Sequence, residues 1–210
     1  QMSKVGKKFP DISVNAMNEM GDTFKINVLQ EALENKKKII LFWYPKDFTF
    51  VCPTEIHAFQ SKLSEFEKRN TMVIGASCDT PEVHFAWLST PKDNGGIEGV
   101  TFPLIADSTR HLSETLDILD TEYVGTEENY SIEGDNVSYR ATFLIDEEGT
   151  IFHESVNVMP LGRNVDEYLR LIDGYAHNQK HGEVCPANWE EGKEAMSESR
   201  ESVANYLSKH

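Results

Sequence analysis

Ile39-Ile40-Leu41-Phe42-Trp43-Tyr44 is an unbroken apolar run closed by Pro45. It is far shorter than the roughly 20 residues a membrane-spanning helix needs. Its lack of alternation marks a strand buried on both faces, which belongs at the centre of a sheet. The next apolar residues, Ile56, Phe59, Leu63 and Phe66, recur at helical spacing in a segment ending near Asn70. Met72 to Ala76 then reads as a second buried strand, so the chain opens a β-α-β unit.

The alternation continues, giving an α/β chain with a central mixed sheet flanked by helices. Pro81 to Leu88 reads as a helix and Phe102 to Ala106 as a strand. Thr109 to Leu119 reads as a helix with Leu112, Leu116 and Leu119 on one face. Tyr139 to Ile145 and Thr150 to Val156 form a hairpin across Asp146-Glu147-Glu148-Gly149. Asn164 caps a helix carrying Val165, Tyr168, Leu169, Ile172 and Tyr175, and the sequence turns polar from His177 to Gly182. The expected division is therefore a domain over residues 4–176 and a C-terminal extension over residues 177–210. In that extension Val203, Tyr206 and Leu207 form a patch able to dock a terminal helix.

Composition limits the function classes. The 210 residues are 39% hydrophobic and 26% charged, an ordinary globular balance. Lys plus Arg number 20 against 35 Asp plus Glu, and the net charge of −15 repels nucleic acid and anionic membrane surfaces. No apolar core of a signal peptide stands in Gln1 to Lys8, Gln1 ahead of Met2 reads as a cloning remnant, and a cytoplasmic protein is expected. Asn129-Tyr130-Ser131 and Asn136-Val137-Ser138 read as ordinary loop rather than glycosylation sites. Three scattered cysteines, Cys52, Cys78 and Cys185, are too few for a disulfide scaffold. The seven histidines lack metal-ligand spacing, and Gly95-Gly96 forms no phosphate-binding fingerprint. The acidic stretch Asp117 to Asp135 reads as a solvated loop rather than a calcium site.

The chemistry concentrates in Pro45-Lys46-Asp47-Phe48-Thr49-Phe50-Val51-Cys52-Pro53-Thr54-Glu55, which joins the central strand to the first long helix. Cys52 falls at the helix N-terminus, with Pro53 in the first turn, where its missing N–H is no loss. Free backbone N–H groups and the positive end of the helix dipole favour thiolate there, and thiolate is the nucleophile. Spacing alone leaves a second reading open, a small buried hydrophobe beside a turn. Glu55 could likewise be a cap that satisfies free amides at the helix start.

Pro45-x-x-x-Thr49-x-x-Cys52, inside Phe50-Val51-Cys52-Pro53-Thr54-Glu55, resembles the active-site motif of the peroxiredoxins. Gly182-Glu183-Val184-Cys185-Pro186-Ala187-Asn188-Trp189 resembles the resolving-cysteine motif of the typical two-cysteine class, which includes the alkyl hydroperoxide reductase C subunit. Val137-Ser138-Tyr139-Arg140, Thr142-Phe143-Leu144-Ile145-Asp146 and Leu161-Gly162-Arg163-Asn164-Val165-Asp166-Glu167 extend the match over essentially the whole chain.

This resemblance implies a thioredoxin-like fold and a thiol-dependent peroxidase acting on hydrogen peroxide and organic hydroperoxides. Cys52 would be peroxidatic and Cys185 of a second subunit resolving. Arg140, Thr49 and Pro45 would build the pocket, with Glu55 and Arg163 supporting. Trp87 would pack near the pocket, and Cys78 has no motif around it. Recycling would fall to a thioredoxin or a dedicated flavoprotein disulfide reductase. The assembly implied is a homodimer, with a ring of five dimers common in the family. No cofactor beyond the protein's own thiols and no metal is implied. Lys92 to Gly99 and Tyr206-Leu207 partly resemble the Gly-Gly-Leu-Gly loop and Tyr-Phe pair of readily over-oxidised members. Glu98 is inserted and Leu207 replaces Phe, which suggests intermediate sensitivity. Two other readings stay open: a redox-controlled chaperone, and a disulfide oxidoreductase, which the absence of a CxxC motif disfavours.

Overall fold

The computed structural model describes residues 3–210; Gln1, read above as a cloning remnant, and Met2 lie outside the described residues. By backbone contacts the chain forms two compact units, residues 1–163 and residues 164–210.

The first unit is built on a seven-stranded sheet. Its strands in chain order are β1 (Ser13–Met17), β2 (Thr23–Asn27), β3 (Lys38–Trp43), β4 (Thr71–Ser77), β5 (Leu104–Ala106), β8 (Arg140–Ile145) and β9 (Ile151–Asn157), arranged β2-β1-β5-β4-β3-β8-β9. The apolar run is β3, central as its sequence demands, with every residue buried. It pairs in parallel with β4 and antiparallel with β8, which makes the sheet mixed. Its side chains alternate between two layers. Ile39, Leu41 and Trp43 join Ile74, Ile105, Ala141 and Phe143 in the main core. Phe42 faces the other way and stacks on Phe59 of α2 (Cys52–Ser61), ring centroids 4.0 Å apart.

The remaining helices of this unit are α1 (Val28–Asn35), α3 (Leu63–Lys68), α4 (Pro81–Leu88) and α5 (His111–Thr115). Three expectations need correction. The single helix expected to run from Ile56 to Asn70 is two helices, because the backbone leaves helical geometry at Lys62 (φ −104, ψ 8). The helix expected over Thr109 to Leu119 stops at Thr115. Asp117 takes a left-handed φ of 57, so Ile118 is buried and Leu119 forms an isolated bridge with Ser138. The acidic loop contains an exposed two-stranded ribbon, β6 (Glu122–Gly125) with β7 (Tyr130–Glu133), closed by the Tyr123 and Tyr130 rings.

In the second unit, α6 (Val165–His181) is capped by Asn164, whose side chain accepts from the Asp166 N–H, and ends at Gly182 with φ 68. Valine 184 bridges Met196, and Trp189 lies against the His177 ring at 5.1 Å. The C-terminal helix α7 (Arg200–Lys209) forms as expected, but none of its residues is buried, so Val203 and Leu207 leave their patch open.

The buried layer at β3 sets the stability of the sheet. Leu41→Ala removes a fully buried side chain and should cost about 2–5 kcal/mol. Urea unfolding of both proteins measures the loss.

Candidate active site

The site is assembled by a parity of strand directions. β3 ends at Trp43 and feeds the turn that leads into α2. Because β8 runs antiparallel to β3, with Phe42 opposite Thr142, its first residue, Arg140, lies beside that same end. Cysteine 52, first residue of α2, and Arg140 therefore meet although 88 positions separate them.

Cys52 is completely buried. Its Sγ lies 3.0 Å from Thr49 Oγ1 and 3.3 Å from an Arg140 Nη1 that can donate to it. The Thr49 hydroxyl has one proton and two neighbours, Cys52 Sγ and the Lys46 carbonyl at 2.7 Å. It can donate to the sulfur, or donate to the carbonyl and accept from a thiol. A cavity of about 530 Å³ opens over this group, lined by Pro45, Thr49, Val51, Arg140 and Met159 among others. Pro45 forms part of its wall.

Arg140 is fixed on two further sides. Its Nε donates to the Met159 carbonyl at 2.6 Å and its Nη1 to Glu55 Oε1 at 2.7 Å. Glu55 also takes Arg163: Oε2 accepts from Arg163 Nε at 2.6 Å and from its backbone N–H at 3.0 Å, and Oε1 accepts from Nη2 at 2.9 Å. Arg163 donates further to the carbonyls of Trp43 and Ala141 and sits over the Phe42 ring, 5.3 Å from its centroid. The helix-cap reading of Glu55 is thus corrected. Its carboxylate is held by arginines, and the start of α2 has no side-chain cap. Burial pushes the Glu55 carboxyl up, but the hydrogen bonds and charges of Arg163 and Arg140 outweigh it and hold it below its ordinary 4.5.

Trp87 is buried and its indole donates to the Gly95 carbonyl at 2.9 Å. Its ring packs on Phe48, which takes a left-handed φ of 59 in the middle of the Cys52 turn. Gly96 sits where a side chain could not, since a Cβ would fall 1.9 Å from the Thr90 carbonyl oxygen. Cys78 is buried beside Ser113, 3.5 Å away, and burial pushes its thiol up. Cys185 belongs to the second unit and is half-buried, its Sγ 3.5 Å from the Gly174 carbonyl. Burial and then Glu183 raise its thiol, with Arg170 opposing. Sequence reasoning missed Met159, Phe42 and Asp47. Asp47 lay inside the quoted motif, where an acidic residue in an otherwise aromatic-rich turn, with Tyr44 three residues before and Phe48 next, was the available signal.

Comparison with known proteins bears on this geometry. Residues 5–154 match the profile of the AhpC/TSA family. The chain belongs to this family. Residues 175–209 match the C-terminal domain of 1-Cys peroxiredoxin. Alkyl hydroperoxide reductase C of Helicobacter pylori is 41% identical over 206 residues, 98% of this chain and 96% of that protein. Peroxiredoxin-1 of Gekko japonicus is 39% identical over the same shares. The structure of reduced 2-Cys peroxiredoxin from Plasmodium vivax aligns with a TM-score of 0.88 at 40% identity, covering 99% of this chain and 100% of that one. The chain is thus a thiol-dependent peroxidase of thioredoxin-like fold. No helix among the described residues is long and apolar enough to cross a membrane.

The Glu55 carboxylate gives a pH-dependent prediction. Its folded-state value is lowered, so the stability it contributes is present above about pH 4.5 and is lost as pH falls through the lower folded value. Glu55→Gln removes one partner of a buried ionic cluster and should cost about 3–5 kcal/mol at neutral pH. Denaturant unfolding should show the gap between the two proteins closing as the solution is acidified.

Proposed function

We propose that the chain reduces hydrogen peroxide and small organic hydroperoxides through Cys52 and an inter-subunit disulfide with Cys185. The observation that carries this reading is the placement of Cys52 Sγ within reach of both Thr49 Oγ1 and Arg140 Nη1, two side chains that line the cavity. Two buried guanidinium groups against the one carboxylate of Glu55 leave a net positive charge beside the sulfur. A thiolate there completes the charge balance.

In the first step the Cys52 thiolate attacks one peroxide oxygen and the O–O bond breaks. Cys52 becomes a sulfenic acid, and the leaving oxygen takes a proton and departs as water or an alcohol. Negative charge develops on that leaving oxygen, where the Arg140 guanidinium and the Thr49 hydroxyl can donate to it in a water-poor site. Pro45 narrows the wall of the cavity without adding a backbone donor. Glu55 and Arg163 touch no reacting atom in this reading; they hold Arg140 in place.

In the second step the Cys185 thiol of the partner subunit attacks the Cys52 sulfenic sulfur, forming a disulfide and releasing water. Complete burial of Cys52 requires the first turn of α2 and the preceding turn to open for that meeting. A dithiol reductant, a thioredoxin or a flavoprotein disulfide reductase, then returns both cysteines to thiols. The working assembly is a homodimer, extendable to a ring of five dimers. A cycle that returns both cysteines to thiols suits a reducing compartment such as the cytoplasm.

Three substitutions test the scheme. Cys52→Ser should abolish peroxide consumption. Cys185→Ser, given one equivalent of peroxide, should consume it, form no disulfide and hold Cys52 as the sulfenic acid. Arg140→Lys should retain the charge but lose the fork, slowing the first step by about 10²–10³-fold. Non-reducing intact mass after one equivalent of peroxide should show a covalent dimer. Turnover by Cys52→Ser would refute the scheme, and an intramolecular disulfide would refute its inter-subunit geometry.

A further inference from the structure

The turn that carries Thr49 and Cys52 contains a buried charged side chain that the reaction does not use. Asp47 is 3% exposed. Its Oδ1 accepts from the Tyr44 hydroxyl at 2.7 Å, and its Oδ2 lies 2.6 Å from Nδ1 of His84 on α4. The other nitrogen of that imidazole, Nε2, lies 2.9 Å from the Ile105 carbonyl on β5. A carbonyl can only accept, so Nε2 carries a proton. The contact between Nδ1 and Oδ2 then holds a second proton, which belongs to the pair. It makes the pair either imidazolium with carboxylate or imidazole with carboxylic acid, and the sum of charge is zero in both. An ion-sized gap is absent at 2.6 Å, so this is a hydrogen-bonded lock rather than a cation site.

The lock ties three elements to one turn. Tyr44 is the residue after β3, His84 belongs to α4, and Ile105 belongs to β5. The Asp47 backbone N–H donates to Asp79 Oδ2 at 2.9 Å, and Asp79 is held in turn by Ser77 at 2.6 Å. The carbonyl of Lys46, the residue before Asp47, positions the Thr49 hydroxyl against Cys52. Shifting Asp47 therefore shifts the Thr49 hydroxyl, the neighbour of the sulfur on that side.

We propose that His84 is a positioning residue for the peroxidase reaction: the proton it shares with Asp47 holds the Pro45–Cys52 turn in its folded form, and so sets how readily Cys52 leaves its pocket for Cys185. The inference rests on Cys52 being the peroxidatic thiol.

The pH sense follows from the groups that face the pair, which are Tyr44, Asp79 and the pair itself. Burial raises the Asp47 carboxyl, with His84 opposing. Burial lowers the His84 imidazole, and the Asp47 hydrogen bond and charge outweigh it, leaving a net rise. Burial and Asp47 raise the Tyr44 hydroxyl well above its ordinary value, so Tyr44 remains a donor. A raised folded-state value means that the lock is complete at low pH and is lost as pH rises through that value. Loss of the shared proton leaves the Nδ1 lone pair facing a carboxylate, with the Asp79 carboxylate adjacent. Both repel, and the turn loosens.

The fate of the Cys52 sulfenic acid reads the lock directly. In the folded turn a second peroxide converts it to sulfinic acid, releasing water; in the open turn Cys185 captures it as disulfide. Intact-mass analysis at a fixed peroxide excess measures the ratio of the two products between about pH 6 and pH 9. In the unsubstituted protein the sulfinic share should fall as pH rises. His84→Asn, whose amide can donate to Asp47 but does not titrate, should keep a folded turn and flatten that profile. His84→Phe, which offers no donor, should lower the sulfinic share about 5-fold or more at the low-pH end. Cys185 is common to all three proteins, so its own ionisation cancels in the comparison. A second measurement keeps His84 in place. Amide exchange of residues 45–52 in Cys52→Ser, corrected for intrinsic rates, should show protection at about pH 6 that falls about 5-fold or more by pH 9.

Parallel pH profiles for the unsubstituted protein and His84→Asn, or protection of residues 45–52 that does not change with pH, would overturn the proposal. If Cys52 gains neither oxygen nor a disulfide, the peroxidatic assignment fails instead, and the exchange measurement still decides whether the lock exists.

Discussion

One buried carboxylate organises this molecule. Glu55 receives hydrogen bonds from Arg140 and Arg163, and all three side chains are almost wholly removed from water. Isolated charges in such a place are costly, and the arrangement persists because each member satisfies the others. Arg163 also ties the last residue of β3 to β8 through main-chain carbonyls. The cluster therefore joins three parts of the chain that are distant in sequence, and it leaves one guanidinium nitrogen of Arg140 facing the sulfur.

The chemistry depends on strand direction as much as on residue type. A parallel neighbour at the β8 position would put the start of that strand at the far end of β3, away from the turn. The hairpin formed by β8 and β9 supplies the antiparallel register that brings Arg140 to the helix start. The same hairpin leads on to Met159, whose carbonyl holds the other side of that guanidinium. The catalytic pocket is therefore a property of topology, with side chains chosen to use it.

Features governed by local pattern were legible in the sequence. β3 and β4 announced themselves because a strand buried on both faces is apolar along its middle, and Asn164 caps its helix as its type suggests. Features governed by distant partners were not. The break at Lys62 has no Gly or Pro to signal it. The β6–β7 ribbon is exposed on both faces, so no core imposes an alternation that could be read. Local pattern alone allows Glu55 a cap, and only motif likeness gave it the supporting role beside Arg163, which stands 108 residues away. The Asp47–His84 contact spans 37 positions and leaves no repeating pattern. Motif likeness recovered Thr49, Cys52 and Arg140, the residues now seen in contact, from sequence alone.

The left-handed backbone of Phe48 has an energetic meaning for this turn. A bulky aromatic residue at φ 59 sits in a region that side chains with a Cβ disfavour, at a cost of about 1–2 kcal/mol. Its ring offsets part of that cost by resting on Trp87. When the turn opens, backbone strain is relieved as the ring contact is lost, so the two changes oppose each other in free energy. The turn behaves as a loaded spring with a weak latch, and small changes in the surroundings of Phe48 can tip its balance without any change to the sulfur or its partners.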